Sequence, residues 1–184
     1  MRARAPVADI ALRPAEDRDV ARIAAIYADH VLTGLASFEV TPPDAAEIAR
    51  RRADALRRGL PYVVAELGGA VVGYAYAAPY RLRPAYHYTV EDSIYVDRDA
   101  LGRGVGRRLL ERLVADCAAA GYRQMLAVIG DSGNRASIAL HEACGFTRVG
   151  LVSSVGFKFG RWVDSVLMQR PLGEGDASLP VERG

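Results

Sequence analysis

A chain of 184 residues that is 51% hydrophobic and 25% charged has the size and balance of one soluble globular domain with a substantial core. Its net charge of +2 argues against a dedicated nucleic-acid binder, and no run reaches the roughly 20 apolar residues of a membrane span. Two cysteines are too few for a disulfide framework and no signal-peptide layout opens the chain, so the cytoplasm is the expected compartment.

Residues 1–6 show no pattern that would tie them to a core. Residues 10–13 read as a short strand, and Pro14-Ala15-Glu16-Asp17 as a helix start with acids in its first turn. Val20, Ile23, Ala24, Ile26 and Tyr27 then recur at helical spacing to about Val31. After a loop with Gly34 and Phe38, Pro42 and Pro43 open a second helix to about Arg58, whose arginines read as a solvated face. Residues 62–67 and 70–77 are two strands joined at Gly68-Gly69. A loop with Arg81, Arg83 and several aromatics leads into a strand over 89–96 and a glycine-rich turn to Gly104. A helix over 105–120 carries Val105, Leu109, Leu110, Leu113, Val114 and Cys117 on one stripe, and Gly121 ends it. Residues 125–129 are wholly apolar, as in a central strand covered on both faces. Asn134 opens a last helix to Cys144, and strands over about 147–155 and 163–169 follow. The Gly/Pro/acid-rich stretch 173–184 reads as a disordered tail, which leaves residues 1–172 as the single domain. This order predicts an α/β (α+β) fold, a mixed sheet with helices on both faces.

The sharpest local signal is Gly102-Arg103-Gly104-Val105-Gly106-Arg107, between a strand and an amphipathic helix. Alternating glycines let several backbone N–H groups converge on one anion, and the helix start adds its own unpaired N–H groups and dipole. Arg103, Arg107 and Arg108 stand where that dipole repels cations, which makes sense if a polyanion sits there. A P-loop needs Gly-Lys-Ser or Gly-Lys-Thr, which is absent, and the dinucleotide fingerprint would need a third glycine where Arg107 or Leu109 stands. A glycine-rich surface turn without a ligand remains the alternative for this segment taken alone.

Here the sequence resembles the GCN5-related N-acetyltransferase (GNAT) superfamily, whose hallmark Gln/Arg-x-x-Gly-x-Gly/Ala grips the diphosphate of acetyl-coenzyme A. Residues 101–106 follow it except that Leu101 replaces the usual Gln or Arg, which removes a side-chain contact and implies weaker cofactor binding. Three further segments, 88–96, 137–146 and 155–164, resemble the phosphinothricin and methionine sulfoximine acetyltransferase branch, and the likeness spans about residues 9–172. It implies a mixed, mostly antiparallel sheet of about seven strands with about four helices, acetyl-coenzyme A as co-substrate, and a homodimer; no metal-ligand spacing appears, so no metal is expected.

Direct acyl transfer asks for a base, an oxyanion donor and an acid. Glu91 matches the branch's catalytic glutamate and is the expected base; the alternative is a surface acid beside Asp92, and strand alternation lets only one of the two face a site. His141, seven residues after Asn134, holds the position where most relatives carry a tyrosine acid, and its ordinary pKa suits either taking the amine proton or giving one to the thiolate. By resemblance, Asn134 contacts the pantetheine arm, backbone groups of Ile94, Tyr95 and Val96 pair with it as an added strand, and the Val96 N–H is the oxyanion donor. Gly102, Arg103, Gly104, Val105, Gly106 and Arg107 hold the diphosphate. Arg81 or Arg83 could clamp a substrate carboxylate, and Phe38, Tyr86 and Tyr88 could wall its side chain, or all of them are ordinary loop residues. Lys158 and Trp162 touch either substrate or a partner subunit. The leading expectation is acetylation of a small amino-acid-like amine, with peptide amino-terminal acetylation and a non-catalytic acetyl-coenzyme A sensor as rivals.

Overall fold

The computed structural model describes residues 9–181; the expectations for residues 1–6 and for 182–184 fall outside them. Among the described residues, seven strands form one sheet. Its order is β1 (Ile10–Pro14), β2 (Tyr62–Leu67), β3 (Ala70–Pro79), β4 (Thr89–Val96), β5 (Gln124–Gly130), β7 (Arg161–Pro171) and β6 (Thr147–Lys158). Neighbours are antiparallel except β4 and β5.

Four α-helices among the described residues accompany the sheet: α1 (Val20–Thr33), α2 (Ala45–Arg57), α3 (Val105–Ala119) and α4 (Arg135–Ala143). On β4, the Tyr95 ring packs on Tyr27 of α1, whereas Asp92 reaches His141 of α4. Residues of opposite parity point to opposite faces of a strand, so α1 and α4 lie on opposite sides of the sheet. The α3 stripe is buried as its spacing predicts, from Val105 to Cys117. Below it, a side chain on Gly73 would run into Val105 and Leu109, so glycine lets α3 lie close on β3.

Three expectations change. Strands β6 and β7 run longer than their apolar pattern indicates and meet at Phe159 and Gly160, with φ of 51° and 73°. That is a tight hairpin turn without an Asn-Gly signal to announce it. Strand β5 is central but not covered on both faces: Val128 is exposed, because β5 borders an opening in the sheet. Residues 173–181, which read as disordered from composition, make turns over 173–176 and are tied back by the Arg123 guanidinium on the Ser178 carbonyl (2.6 Å) and by the Tyr88 hydroxyl on the Val181 carbonyl (3.3 Å).

Candidate active site

Strand β4 pairs with β5 only from Thr89 to Glu91, opposite Gln124 to Leu126. Beyond that point the two strands part, and a cleft of about 810 Å³ opens between them. At either end of β4, the Asp97 N–H donates to the Val72 carbonyl and the Tyr80 N–H to the Thr89 carbonyl. Odd-numbered β4 residues therefore bond to β3, and the backbone groups of Asp92, Ile94 and Val96 turn toward the gap. The register pairs Tyr95 with Tyr74, so its backbone faces β3 and not the cleft, contrary to expectation. His30 of α1 donates from Nε2 to the Val96 carbonyl at 2.8 Å. The Val96 N–H is left toward the cleft.

One end of the cleft is the glycine turn. Gly102 and Gly104 have φ of 73° and 83°, a region that disfavours other residues, and neither has a neighbour within 4 Å of where a side chain would start. Gly104 caps α3 without a side-chain hydrogen bond, and the first turn holds no acid, so its N–H groups stay open. Gly106 packs against Leu140 of α4. Arg107 borders the cleft and pairs with Glu111 at 2.7 Å, while Arg103 is exposed and outside the lining. Asn134 borders the cleft and accepts the Ser137 N–H at 3.2 Å, so it is also the cap of α4.

Both acids of β4 line the cleft, which corrects the inference that only one can. Alternation does separate them, but the gap passes through the sheet and opens on both faces. Glu91, on the α1 side, is half-buried; burial, and then the charge of Asp92, push its pKa up to about 6. Asp92, on the α4 side, is 7% exposed and accepts from His141 Nε2 at 3.1 Å. The other ring nitrogen of His141, Nδ1, donates to the Ser137 carbonyl at 2.7 Å.

The opposite end is walled by the loop after α1. Phe38 packs on Gly156 of β6, where an added side chain would begin 2.5 Å from the ring, and Gly130 of β5 leaves room for the Leu35 carbonyl. Lys158, 3% exposed, donates from Nζ to the Ser37 carbonyl at 2.7 Å; burial pulls its pKa down, partly offset by Glu39. Tyr27 bridges Ser37 (2.8 Å) and Glu39 (2.9 Å). Lys158 therefore holds the wall from inside, while Trp162 is 65% exposed.

The acetyltransferase (GNAT) family profile matches residues 23–146, more than half of the chain. Phosphinothricin N-acetyltransferase of Alcaligenes faecalis is 57% identical over 92% of this chain and 86% of its own length. An L-methionine sulfoximine/L-methionine sulfone acetyltransferase of Pseudomonas paraeruginosa is 42% identical over 86% of this chain and 92% of its own. A crystal structure of a GNAT superfamily phosphinothricin acetyltransferase from Sinorhizobium meliloti in complex with acetyl-coenzyme A superposes with a TM-score of 0.92. It is 50% identical, with 94% of each chain covered. The chain belongs to the GNAT family of acetyltransferases.

The GNAT cofactor is acetyl-coenzyme A, and the residues present fit it. Uncapped N–H groups at α3, beside two glycines whose missing side chains leave open space, suit a diphosphate. The cleft-facing backbone of Ile94 and Val96 suits an amide-bearing arm lying between β4 and β5.

Not every expected GNAT site residue reaches the cleft. Phe38 does. Arg81 and Arg83 are exposed on the loop before β4 and outside the lining, with the Arg81 guanidinium stacked over Tyr80 and Tyr86. Tyr88 turns its hydroxyl to the C-terminal segment. For Arg81 it is its own aromatic neighbours that hold the side chain away, a detail that loop composition does not encode. Conversely, His30, Tyr27, Glu39, Tyr76 and Asp92 border the cleft unforeseen. Gly130 and Gly156 were the readable clue, since glycine inside a strand marks a close approach.

Proposed function

We propose that this protein transfers the acetyl group of acetyl-coenzyme A to the primary amine of a small amino-acid-like substrate, of the phosphinothricin or methionine sulfoximine kind. The observation that carries the reading is Glu91, a half-buried carboxyl with a pKa of about 6, in the same cleft as the open N-terminus of α3. The names of the relatives above support the substrate class.

Acetyl-coenzyme A supplies the activated carbonyl that receives the amine. Glu91 is ionised at neutral pH, yet basic enough to take a proton from the substrate ammonium. The Val96 N–H faces the gap as a donor for the carbonyl oxygen as it gains charge. Ile94 and Asn134 orient the pantetheine arm, and Gly102, Gly104 and the first turn of α3 hold the diphosphate. His141 is the second proton-carrying side chain on the wall, and Phe38 and Tyr76 bound the amine side. Thiol release from acetyl-coenzyme A, measured against phosphinothricin, methionine sulfoximine, plain amino acids and short peptides, tests the reading. We expect release with the first two. Release with peptides alone, or with no amine despite acetyl-coenzyme A binding, overturns it.

The same reading includes a homodimer in the cytoplasm. No helix among the described residues is long and apolar enough to cross a membrane. Support for a dimer comes from the edge strand β6, where Leu151, Val155 and Phe157 are exposed, Phe157 packing edge-on to Trp162 of β7 at 5.2 Å. A long apolar edge invites pairing with a second copy. Light scattering of the eluting protein should give twice the chain mass, and Trp162→Glu should give the monomer; a wild-type monomer overturns this part.

A further inference from the structure

We infer that Asp92 is a positioning residue that keeps His141 an imidazolium, so that His141 gives a proton to the departing sulfur and takes none from the amine. The inference deepens the acetyl-transfer reading and rests on it for the identity of the sulfur.

The Ser137 carbonyl, 2.7 Å from Nδ1, and the Asp92 carboxylate, 3.1 Å from Nε2, are both acceptors. Both ring nitrogens of His141 therefore carry protons, and neither has a lone pair to offer an ammonium group. The ring is fixed as well: it is 4% exposed and meets Phe146 edge-on at 5.1 Å. Asp92 Oδ1 is buried without a partner, so the carboxylate's one hydrogen bond among the described residues is to this imidazole.

Other charged groups around α4 are engaged elsewhere. From α3, Arg107 pairs with Glu111; from β7, Arg170 donates to the Cys144 carbonyl; Glu91 lies across the sheet from Asp92. Cys144 on α4 is a buried thiol, and Glu142 is exposed. Burial pulls His141 down, but the hydrogen bond and charge of Asp92, with the Ser137 carbonyl, leave it above its ordinary value. The 3.1 Å contact is at the long end for an N–H···O bond, and a thiolate, whose thiol has a pKa of about 8.5, is a far stronger base than a carboxylate.

The protons balance. Glu91 takes the first ammonium proton and passes it to solvent. As the nitrogen lone pair forms the N–C bond, the C–S bond breaks with its electron pair on sulfur. Nε2 of His141 protonates that sulfur and Glu91 takes the second nitrogen proton. Solvent then reprotonates His141 and deprotonates Glu91, a net release of one proton per turnover.

The test pairs ring titration with kinetics. In ligand-free protein with labelled histidines, the His141 resonance, assigned by its loss in His141→Gln, should titrate above the ordinary histidine value of about 6.5. Asp92→Asn should lower that midpoint by one unit or more. In the same variant kcat should fall at least tenfold, with KM for acetyl-coenzyme A within threefold of wild type. The alkaline limb of its kcat profile should move down with the ring, and Asp92→Glu should restore part of both. An unchanged midpoint in Asp92→Asn, or an alkaline limb that ignores it, overturns the proposal. If Asp92→Asn does not fold, Asp92→Ser carries the same measurements. Absence of thiol release by wild type with every amine would defeat the acetyl-transfer reading, whereas the ring titration judges the Asp92–His141 pair independently of turnover.

Discussion

The two ends of the cleft are built from different material. At the end proposed for the diphosphate, Gly102, Gly104 and the first turn of α3 present backbone, and the residues are contiguous in the chain. At the end proposed for the amine, Phe38 rests on Gly156, Lys158 holds Ser37, and Tyr27 holds Glu39, with partners separated by as many as 121 positions. Backbone binding needs only a local turn and a helix start, so it is written in a short motif and tolerates side-chain change around it. The amine wall exists only once distant strands have come together, so its shape can vary while the diphosphate end stays fixed. One fold can thus keep its acyl donor and change its acceptor.

Glu91 lies where the two ends meet, and its loss should have the largest effect. Glu91→Gln should lower kcat by about 10²–10⁴-fold, the usual contribution of a positioned base. Calorimetric acetyl-coenzyme A affinity should stay near wild type, and a comparable loss of that affinity would mean that Glu91 belongs to the cofactor end. Wild-type kcat/KM should rise with pH through about 6 as the carboxyl ionises, and the variant should lack that limb. Stability runs the opposite way. The folded protein holds this proton more tightly than the unfolded chain, so wild type loses stability as pH rises from 4.5 to about 6, and the variant does not. Melting both across that range checks the sign.

Gly104→Val should break the diphosphate end alone. Valine at φ 83° costs about 1–2 kcal/mol of backbone strain, or roughly 2–8 °C in melting temperature for a chain of this size. The protein itself leaves room there, with nothing within 4 Å. The larger loss should therefore be in acetyl-coenzyme A binding, at least tenfold in Kd by calorimetry. A variant that melts lower yet binds normally would remove the diphosphate from this turn.

The same contrast governs what was legible in the sequence. The α3 stripe, the glycine turn and the strand carrying Glu91 are local patterns of 3.6-residue or two-residue period, and the structure reproduces them. Asp92 was assigned away from the site because alternation assumes a closed sheet, whereas β4 and β5 part after Glu91 and expose both faces. Tyr95 borders the cleft, but its backbone does not face it: only the bonds at the ends of β4 reveal which backbone groups are spent on β3. His30 is one residue on an amphipathic helix until the Val96 carbonyl is brought to it. Arg81 shows the opposite error, a composition suited to a carboxylate clamp whose guanidinium is stacked on its own aromatic neighbours.

Gly156→Ala should have the smallest effect and be the most selective. A methyl group there would start 2.5 Å from the Phe38 ring, a separation that real contacts do not tolerate, so either the ring or β6 must move. The ring belongs to a loop, whereas β6 is hydrogen-bonded to β7 beside Val163, so the loop should yield. Lys158 and Tyr27 still grip Ser37 and Glu39 on either side of Phe38, which limits the displacement to the ring and its immediate backbone. KM for the amine should then change several-fold, while acetyl-coenzyme A affinity and the pH limb of Glu91 stay as they are. If acetyl-coenzyme A binding changed as much as KM for the amine, the two ends would be mechanically coupled through β5, and the separation of donor from acceptor would fail.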